Sequence, residues 1–110
     1  MATTSPVQLA QAMVAATPTA YYQAPVDGTA IAQETILCNV INKPVIITMS
    51  FVRDGDEASA ANTILSNFEI PGGQTVFLSQ ATVLPSQGKI VVSASASDAI
   101  GMTISGIEIV

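Results

Sequence analysis

The sequence contains no histidine and no tryptophan. Histidine is the commonest general base and a frequent metal ligand, so its absence removes the Ser-His and Cys-His pairs of most hydrolytic enzymes. Cys38 therefore has no imidazole partner to activate its thiol, and phosphate-cradling glycine motifs are missing too. We expect no enzymatic activity, no catalytic residue and no cofactor. The lack of tryptophan also weakens a carbohydrate-binding role, since sugars usually stack on aromatic faces.

The positions of the carboxylates in the sequence give little support to a catalytic site or a metal site. Glu34, Glu69 and Glu108 fall on predicted strands, but no spacing brings two of them to one cleft, as glycosidase chemistry requires. The loop Asp54–Glu57 holds three carboxylates in four residues, which suggests calcium. Its spacing does not fit the twelve-residue calcium loop, and no glutamate closes it. We favour a solvated loop and predict no metal site.

Charge is scarce as well. Charged residues make up 10% of the chain, against about 25% in ordinary soluble domains, while hydrophobic residues reach 49%. Such a chain either enters a membrane or has its outer faces covered by partner proteins. No stretch approaches the ~20 apolar residues that span a bilayer, so we expect no membrane insertion. Burial at protein interfaces is favoured over a free surface rich in Ser, Thr and Ala.

The sign of the charge and the cysteine count exclude further classes. The net charge is −5, and the three basic residues, Lys43, Arg53 and Lys89, are far apart, so we expect no nucleic acid partner. We expect no small-molecule substrate either. The single Cys38 cannot form an intrachain disulfide. Because it lies within an apolar alternation, it is predicted to be a buried small hydrophobe, with an interchain bridge as the alternative.

The segment that organises the chain is Thr29–Arg53, which reads as two long strands joined at Asn42-Lys43-Pro44. Successive side chains of a strand point to opposite faces, so a half-buried strand repeats every two residues. In the second strand one face carries Val45, Ile47, Met49 and Phe51. In the first strand one face carries Ile36, Cys38 and Val40, and the other Thr35, Leu37 and Asn39.

Other alternating segments complete an all-β chain. We predict an edge strand at Pro18–Pro25, because flanking prolines block pairing, and a crossing loop over 81–88. Further strands are predicted at Ile64–Ile70 (with Ile64, Phe68 and Ile70 on one face), Thr75–Ser79, Lys89–Ala96 (with Ile90, Val92, Ala94 and Ala96 inward) and Ile100–Val110. In the last strand a β-bulge at Gly106 would bring Ile107 and Ile109 into the core. Seven or eight short strands indicate an antiparallel two-sheet β-sandwich, jelly-roll or immunoglobulin-like.

Residues 1–17 are predicted to form an N-terminal arm, and residues 18–110 the β-sandwich domain. The arm has no basic residue, so we identify no targeting segment. With Ser5 as cap and Pro6 in the first turn, Val7–Ala16 could form about two helical turns. A disordered start and an arm ordered on a neighbouring subunit remain open. The predicted partner contacts are Val7, Leu9, Met13, Val14, Tyr21 and Tyr22.

Several short motifs carry a resemblance. They are Tyr22-Gln23-Ala24-Pro25 leading into Gly28-Thr29-Ala30-Ile31, then Ile36-Leu37-Cys38-Asn39, Ala60-Ala61-Asn62-Thr63 and Ile70-Pro71-Gly72. Over about Tyr21 to Val110 the chain resembles the small β-sandwich structural proteins of tailed bacteriophages, including those of cyanobacteria.

The resemblance implies a component of the virion, assembled in the host cytoplasm. Our first hypothesis within this setting is a capsid decoration, or cement, protein that binds the major capsid protein on the outer face of the shell and bridges capsid subunits. In this hypothesis the chain is a homo-oligomer, with a trimer favoured. The alternative is a tail, neck or baseplate accessory, or a host-binding module.

Overall fold

The computed structural model describes residues 3–110, which form eight β-strands and one short 3-10 helix. The strands are β1 (Thr4–Met13), β2 (Thr19–Gln23), β3 (Thr29–Asn39), β4 (Val45–Val52), β5 (Thr63–Ile70), β6 (Thr75–Leu84), β7 (Lys89–Ala94) and β8 (Ile100–Ile109). The 3-10 helix covers Ala60–Asn62.

The strands form two four-stranded sheets in which every pairing is antiparallel. The first sheet has the order β1-β8-β3-β6, and the second has the order β2-β7-β4-β5. This interleaving of eight strands is the jelly-roll arrangement. The predicted two-sheet β-sandwich is confirmed, and of its two forms the jelly-roll is the one adopted.

The core lies between the sheets, and the alternation of β4 and β7 predicted correctly the inward residues that these two strands contribute to it. Val45, Ile47, Met49 and Phe51 of β4 are buried, as are Ile90, Val92 and Ala94 of β7. The largest fully buried side chains of the first sheet are Leu37, Leu84, Ile100, Met102 and Ile104. The edge position predicted for β2 is also confirmed.

The N-terminal segment is a strand, so the helix predicted within Val7–Ala16 is wrong. β1 pairs with β8 from Thr4 opposite Ile109 to Met13 opposite Gly101. A helix of two turns is marginal in water, whereas the edge of β8 offers this segment a ladder of backbone hydrogen bonds. Residues 4–13 of the predicted arm are therefore part of the first sheet, and Met1 and Ala2 lie outside the described residues. A contact between the arm and a neighbouring subunit stays a prediction.

Two strand predictions fail where the two-residue repeat is interrupted. β6 continues to Leu84, so the predicted crossing loop begins only at Pro85, which ends the strand. In β5, Ile64 does not share a face with Phe68, because register shifts against β4 separate them and Asn67 has a φ of +50°. Leu65 packs against the core with Phe68, and Ile64 is exposed.

The β-bulge predicted at Gly106 of β8 is wrong, although the neighbouring strands are bulged at the same height in the sheet. β8 runs straight there, and the extra residues lie in its neighbours, at Leu9 of β1 and Gln33 of β3. The alternation of β8 therefore continues, and Ile107 and Ile109 lie on the outer face of the first sheet.

Cys38 is also misplaced by the prediction, since it is half-buried on that outer face. The alternate residues of β3, Thr35, Leu37 and Asn39, face the core instead, because hydrogen bonds hold the side chain of Asn39 in the interior. Its amide Nδ2 donates to the carbonyls of Lys43 (2.8 Å) and Ile70 (2.9 Å), and its Oδ1 accepts from the N–H of Ile41 (3.1 Å). These bonds satisfy a buried polar side chain and direct Cys38 outward.

Candidate interaction surface

The outer face of the first sheet is arranged in rows that cross all four strands. Each row takes one outward side chain from β6, β3, β8 and β1 in turn. One end carries the apolar row Val83, Ile31, Ile107 and Pro6. The middle carries the polar row Ser79, Glu34, Ser105 and Gln8. The next row towards the other end carries Phe77, Ile36, Thr103 and Gln11.

This face combines exposed apolar side chains with very little charge. Phe77 is 65% exposed, Val83 57% and Met13 42%. Glu34 is the one charged residue in the three rows. Large apolar side chains gathered on one face, with a single charge among them, are typical of a surface that contacts another macromolecule.

The two sheets have four edge strands, and three of them are protected against further pairing. β1 contains Pro6, which lacks a backbone donor. β2 is five residues long and lies between Pro18 and Pro25. β5 is interrupted by register shifts and carries Glu69. Short length, bulges, prolines and charges are the usual means by which edges avoid other chains.

The fourth edge, β6, is the least protected. Its ten residues include no proline and no charged side chain. One register shift against β3 falls near Gln80 and Ala81, but Thr75–Ser79 pairs regularly with β3. A regular, apolar, charge-free edge of this kind can accept a strand from another chain.

The backbone of β6 indicates which groups are free for such pairing. The N–H of Asn39 donates to the carbonyl of Gln74 at 2.9 Å. Because hydrogen-bonded pairs alternate along an antiparallel ladder, Val76 and Leu78 direct their backbone groups towards β3. The N–H and C=O groups of Thr75, Phe77 and Ser79 therefore point away from the sheet.

A groove separates β6 from β5 on the inner side of this edge. It is an open cleft of about 190 Å³ lined by Ile64, Leu65, Leu78, Ser79, Gln80 and Thr82. The Oε1 of Gln80 accepts from the hydroxyl of Thr35 at 3.0 Å, while its Nε2 is buried without a hydrogen-bond partner. The apolar interior is therefore incompletely covered along β6.

The six residues predicted to contact a partner lie on or near β1 and β2, and not on β6. Leu9 and Val14 are in the core, and Val7, Tyr21 and Tyr22 are half-buried and pack against it. Met13 is the exposed one of the six. Contact with a partner stays a prediction for this set.

Tyr22 has a structural role between the sheets. Its hydroxyl donates to the carboxylate of Glu108 at 2.5 Å, which joins β2 of the second sheet to β8 of the first. Burial, followed by the hydrogen bond and the charge of Glu108, raises the pKa of the Tyr22 hydroxyl well above its ordinary value. The raised pKa keeps the Tyr22 hydroxyl protonated, so that it donates this hydrogen bond.

The acidic loop presents no arrangement of ligands. Arg53 forms an exposed ion pair with Asp56, Nε to Oδ2 at 3.2 Å, at an open cleft of about 820 Å³ between the loop and β6. Within residues 3–110 no three His, Cys, Asp or Glu side chains are grouped for metal binding. The strand-borne glutamates lie on three surfaces, since Glu34 and Glu69 are on the outer faces of different sheets and Glu108 lies between the sheets. No helix in the described part of the chain is long and apolar enough to cross a membrane.

The β6 edge was not predicted from the sequence, because Pro85 and Gly88 suggested a loop from Ala81 onward. The signal was present as ten consecutive residues, Thr75–Leu84, without charge, proline or glycine. Asn39 was also missed, since a polar residue in an alternating strand is normally assigned to the solvent side.

Comparisons with known proteins establish the fold alone. No protein-family model matches the chain, and no curated protein sequence does so. Among solved structures, it is similar to a chain from Bacillus endospore appendages, which form disulfide-linked pili. The identity is 17% and the TM-score 0.59, covering 97% of this chain and 86% of the other.

A second similar structure is a chain of infectious bursal disease virus, Gx strain, with 14% identity and a TM-score of 0.55. The match covers 99% of this chain but 32% of the viral chain, so our protein corresponds to about one third of that length. Both likenesses extend over nearly the whole jelly-roll.

Proposed function

We propose that this chain is a structural subunit of a bacteriophage virion, a capsid decoration protein that binds the major capsid protein and bridges capsid subunits. The observation that carries the proposal is the outer face of the first sheet. Its exposed apolar side chains, with Glu34 as the one charged residue in the three rows, favour contact with another protein.

The size of this face supports the proposal. Four strands spaced about 4.8 Å apart and ten residues long at about 3.4 Å per residue cover about 19 Å by 34 Å, or about 650 Å². Contact over the whole face would bury about 1,300 Å² from both partners, within the range of about 1,200–2,000 Å² for stable interfaces. The resemblance to phage sandwich proteins gives the setting, and the likeness to the viral chain shows that a virus structure contains the same fold.

A location in the tail, neck or baseplate is the second candidate. The likeness to endospore appendages supports it, because there a chain of this fold belongs to a pilus. Copy number separates the two locations. A decoration protein would be present in numbers comparable to the major capsid protein, and a tail or baseplate component in a small fraction of that number.

Quantitative mass spectrometry of intact particles, with this chain measured against the major capsid protein, tests the location. Binding of the purified chain to undecorated shells tests the surface. We expect Ile107→Lys, on the outer face of the first sheet, to fold normally but to lose shell binding. Ile46→Lys is the matched control, because Ile46 is 40% exposed on the other sheet. Binding that survives Ile107→Lys but is lost in Ile46→Lys would refute the assignment of the face.

A further inference from the structure

We infer that β6 is a self-association edge, at which the segment Thr75–Ser79 pairs antiparallel with the same segment of a second copy. The two copies are related by a two-fold axis at Phe77, and their first sheets join into one sheet of eight strands. This inference deepens the proposed structural role, since it names the contact through which copies of the subunit associate. It favours a dimer over the trimer of the decoration hypothesis.

The argument for a second copy as the partner is the symmetry of the segment itself. Thr75-Val76-Phe77-Leu78-Ser79 reads the same in chemical character from either end, with a hydroxyl, an aliphatic side chain, an aromatic ring, an aliphatic side chain and a hydroxyl. Antiparallel pairing about Phe77 therefore places Thr75 opposite Ser79 and Val76 opposite Leu78. A two-fold contact requires this kind of self-complementary surface.

The free backbone groups of β6 are on the residues that this register requires to form hydrogen bonds. Thr75, Phe77 and Ser79 direct their N–H and C=O groups away from β3. In the dimer, Phe77 faces its counterpart, and Thr75 of each copy faces Ser79 of the other. All three of these pairs are of the hydrogen-bonded kind, in which each residue exchanges both backbone groups with its partner.

The side chains also match on both faces of the new sheet. On the outer face the two Phe77 rings become cross-strand neighbours, an aromatic contact that favours pairing. Ile36 flanks Phe77 on β3, so each copy extends this apolar row. On the inner face, Val76 and Leu78 of the second copy lie against the groove beside β5 and cover it.

Electrostatics do not oppose the contact, although each chain has a net charge of −5. β6 has no charged residue, and the nearest charge on the outer face is Glu34, opposite Ser79. In the proposed register the two Glu34 positions are separated by three strand spacings and four residues along the strand, about 20 Å. This exceeds the Debye length of about 8 Å at physiological ionic strength, so their repulsion is largely screened.

Sedimentation equilibrium of the purified full chain, without particles, tests the dimer. We expect a monomer–dimer equilibrium for the unmodified chain and loss of the dimer in Phe77→Lys, because a charge at the centre of the edge blocks pairing. Val83→Lys is the control on the same strand and face, beyond the paired segment, and should still form the dimer. Circular dichroism melts confirm that both variants fold.

Disulfide trapping tests the register independently of affinity. A hydrogen-bonded pair has its Cα atoms about 5.5 Å apart, within the disulfide range of about 4.4–6.8 Å. In a Cys38→Ser background, Phe77→Cys should form a covalent dimer when oxidised glutathione accepts the two thiol hydrogens, and Val83→Cys should not.

A chain that stays monomeric, a trimer, or a dimer that survives Phe77→Lys would overturn the inference. Shell binding by Ile107→Lys is measured separately. Failure of the shell contact and failure of the dimer contact are therefore distinguishable.

Discussion

Gly106→Ala tests the packing of the first sheet most directly. A Cβ built on Gly106 would lie 2.1 Å from the carbonyl oxygen of Ile31 and 3.0 Å from Cδ1 of Leu9. Ordinary contact begins near 3.4 Å, so the backbone of β3 would have to move by about 1.3 Å. The missing side chain thus makes room for the bulges of the two neighbouring strands.

The magnitude follows from two opposing terms. Overpacking a buried site costs about 1–3 kcal/mol, and we expect the upper end because the obstructing atom is a backbone carbonyl and not a flexible side chain. Restricting the unfolded chain with alanine contributes about 0.4–1 kcal/mol in the other direction. The net expected loss is about 2 kcal/mol of unfolding free energy.

Gly101→Ala is the matched control in the same strand. The nearest atom to its added Cβ would be the sulfur of Met13 at 3.8 Å, an ordinary contact. We expect this variant to be neutral or more stable by up to about 1 kcal/mol. Urea titrations of both variants, with unchanged slopes, measure the difference. Equal stability of the two variants would refute the assignment of Gly106 as the position that accommodates the bulges.

Three further predictions concern other parts of the fold. Because the folded pKa of Tyr22 is raised above its ordinary value of about 10, its contribution to stability is complete below pH 10 and is lost as the pH rises further. Alkaline melting curves should therefore show a steeper loss of Tm for the unmodified chain than for Tyr22→Phe. Asn39→Ala should cost about 3 kcal/mol in urea unfolding, since it removes three hydrogen bonds made by a buried amide; a loss below about 1 kcal/mol would contradict this. Cys38→Ser should change the unfolding free energy by less than about 0.5 kcal/mol, because Cys38 is half-buried on the outer face, and a loss of several kcal/mol would return it to the core.

The sequence predicted most reliably the inward residues of β4 and β7, which are buried as the two-residue repeat indicated. In β4 the repeat does not account for Ser50 and Val52, which are buried on the opposite parity. In β3, both Leu37 and Cys38 fit an inward position, and the alternation alone could not choose between them. The choice was made by the hydrogen bonds of Asn39 to the adjacent turn at Lys43 and to Ile70 of β5, which is distant in sequence.

Bulges account for most of the remaining errors. An extra residue reverses which side chains face inward, and the sequence does not show which of two paired strands contains it. The apolar phase change in β8 correctly indicated an irregularity at Gly106. The extra residues lie instead in β1 and β3, which leaves Ile107 on the outer face.

This outward position of Ile107 connects the two proposed contacts. The β6 pairing uses the backbone edge of the first sheet, whereas the proposed shell contact uses its outer face, and Phe77 is the residue that the two contacts share. A dimer would present about twice the 650 Å² of a single face in one continuous sheet. When one face of the dimer has bound, the second face binds intramolecularly, which raises the overall affinity. Phe77→Lys should therefore weaken shell binding in two ways, by lowering avidity and by placing a charge in one row of the outer face, whereas Ile107→Lys should disrupt the face and leave the dimer intact. If Phe77→Lys and the unmodified chain bound shells equally, dimer formation would make no contribution to shell binding.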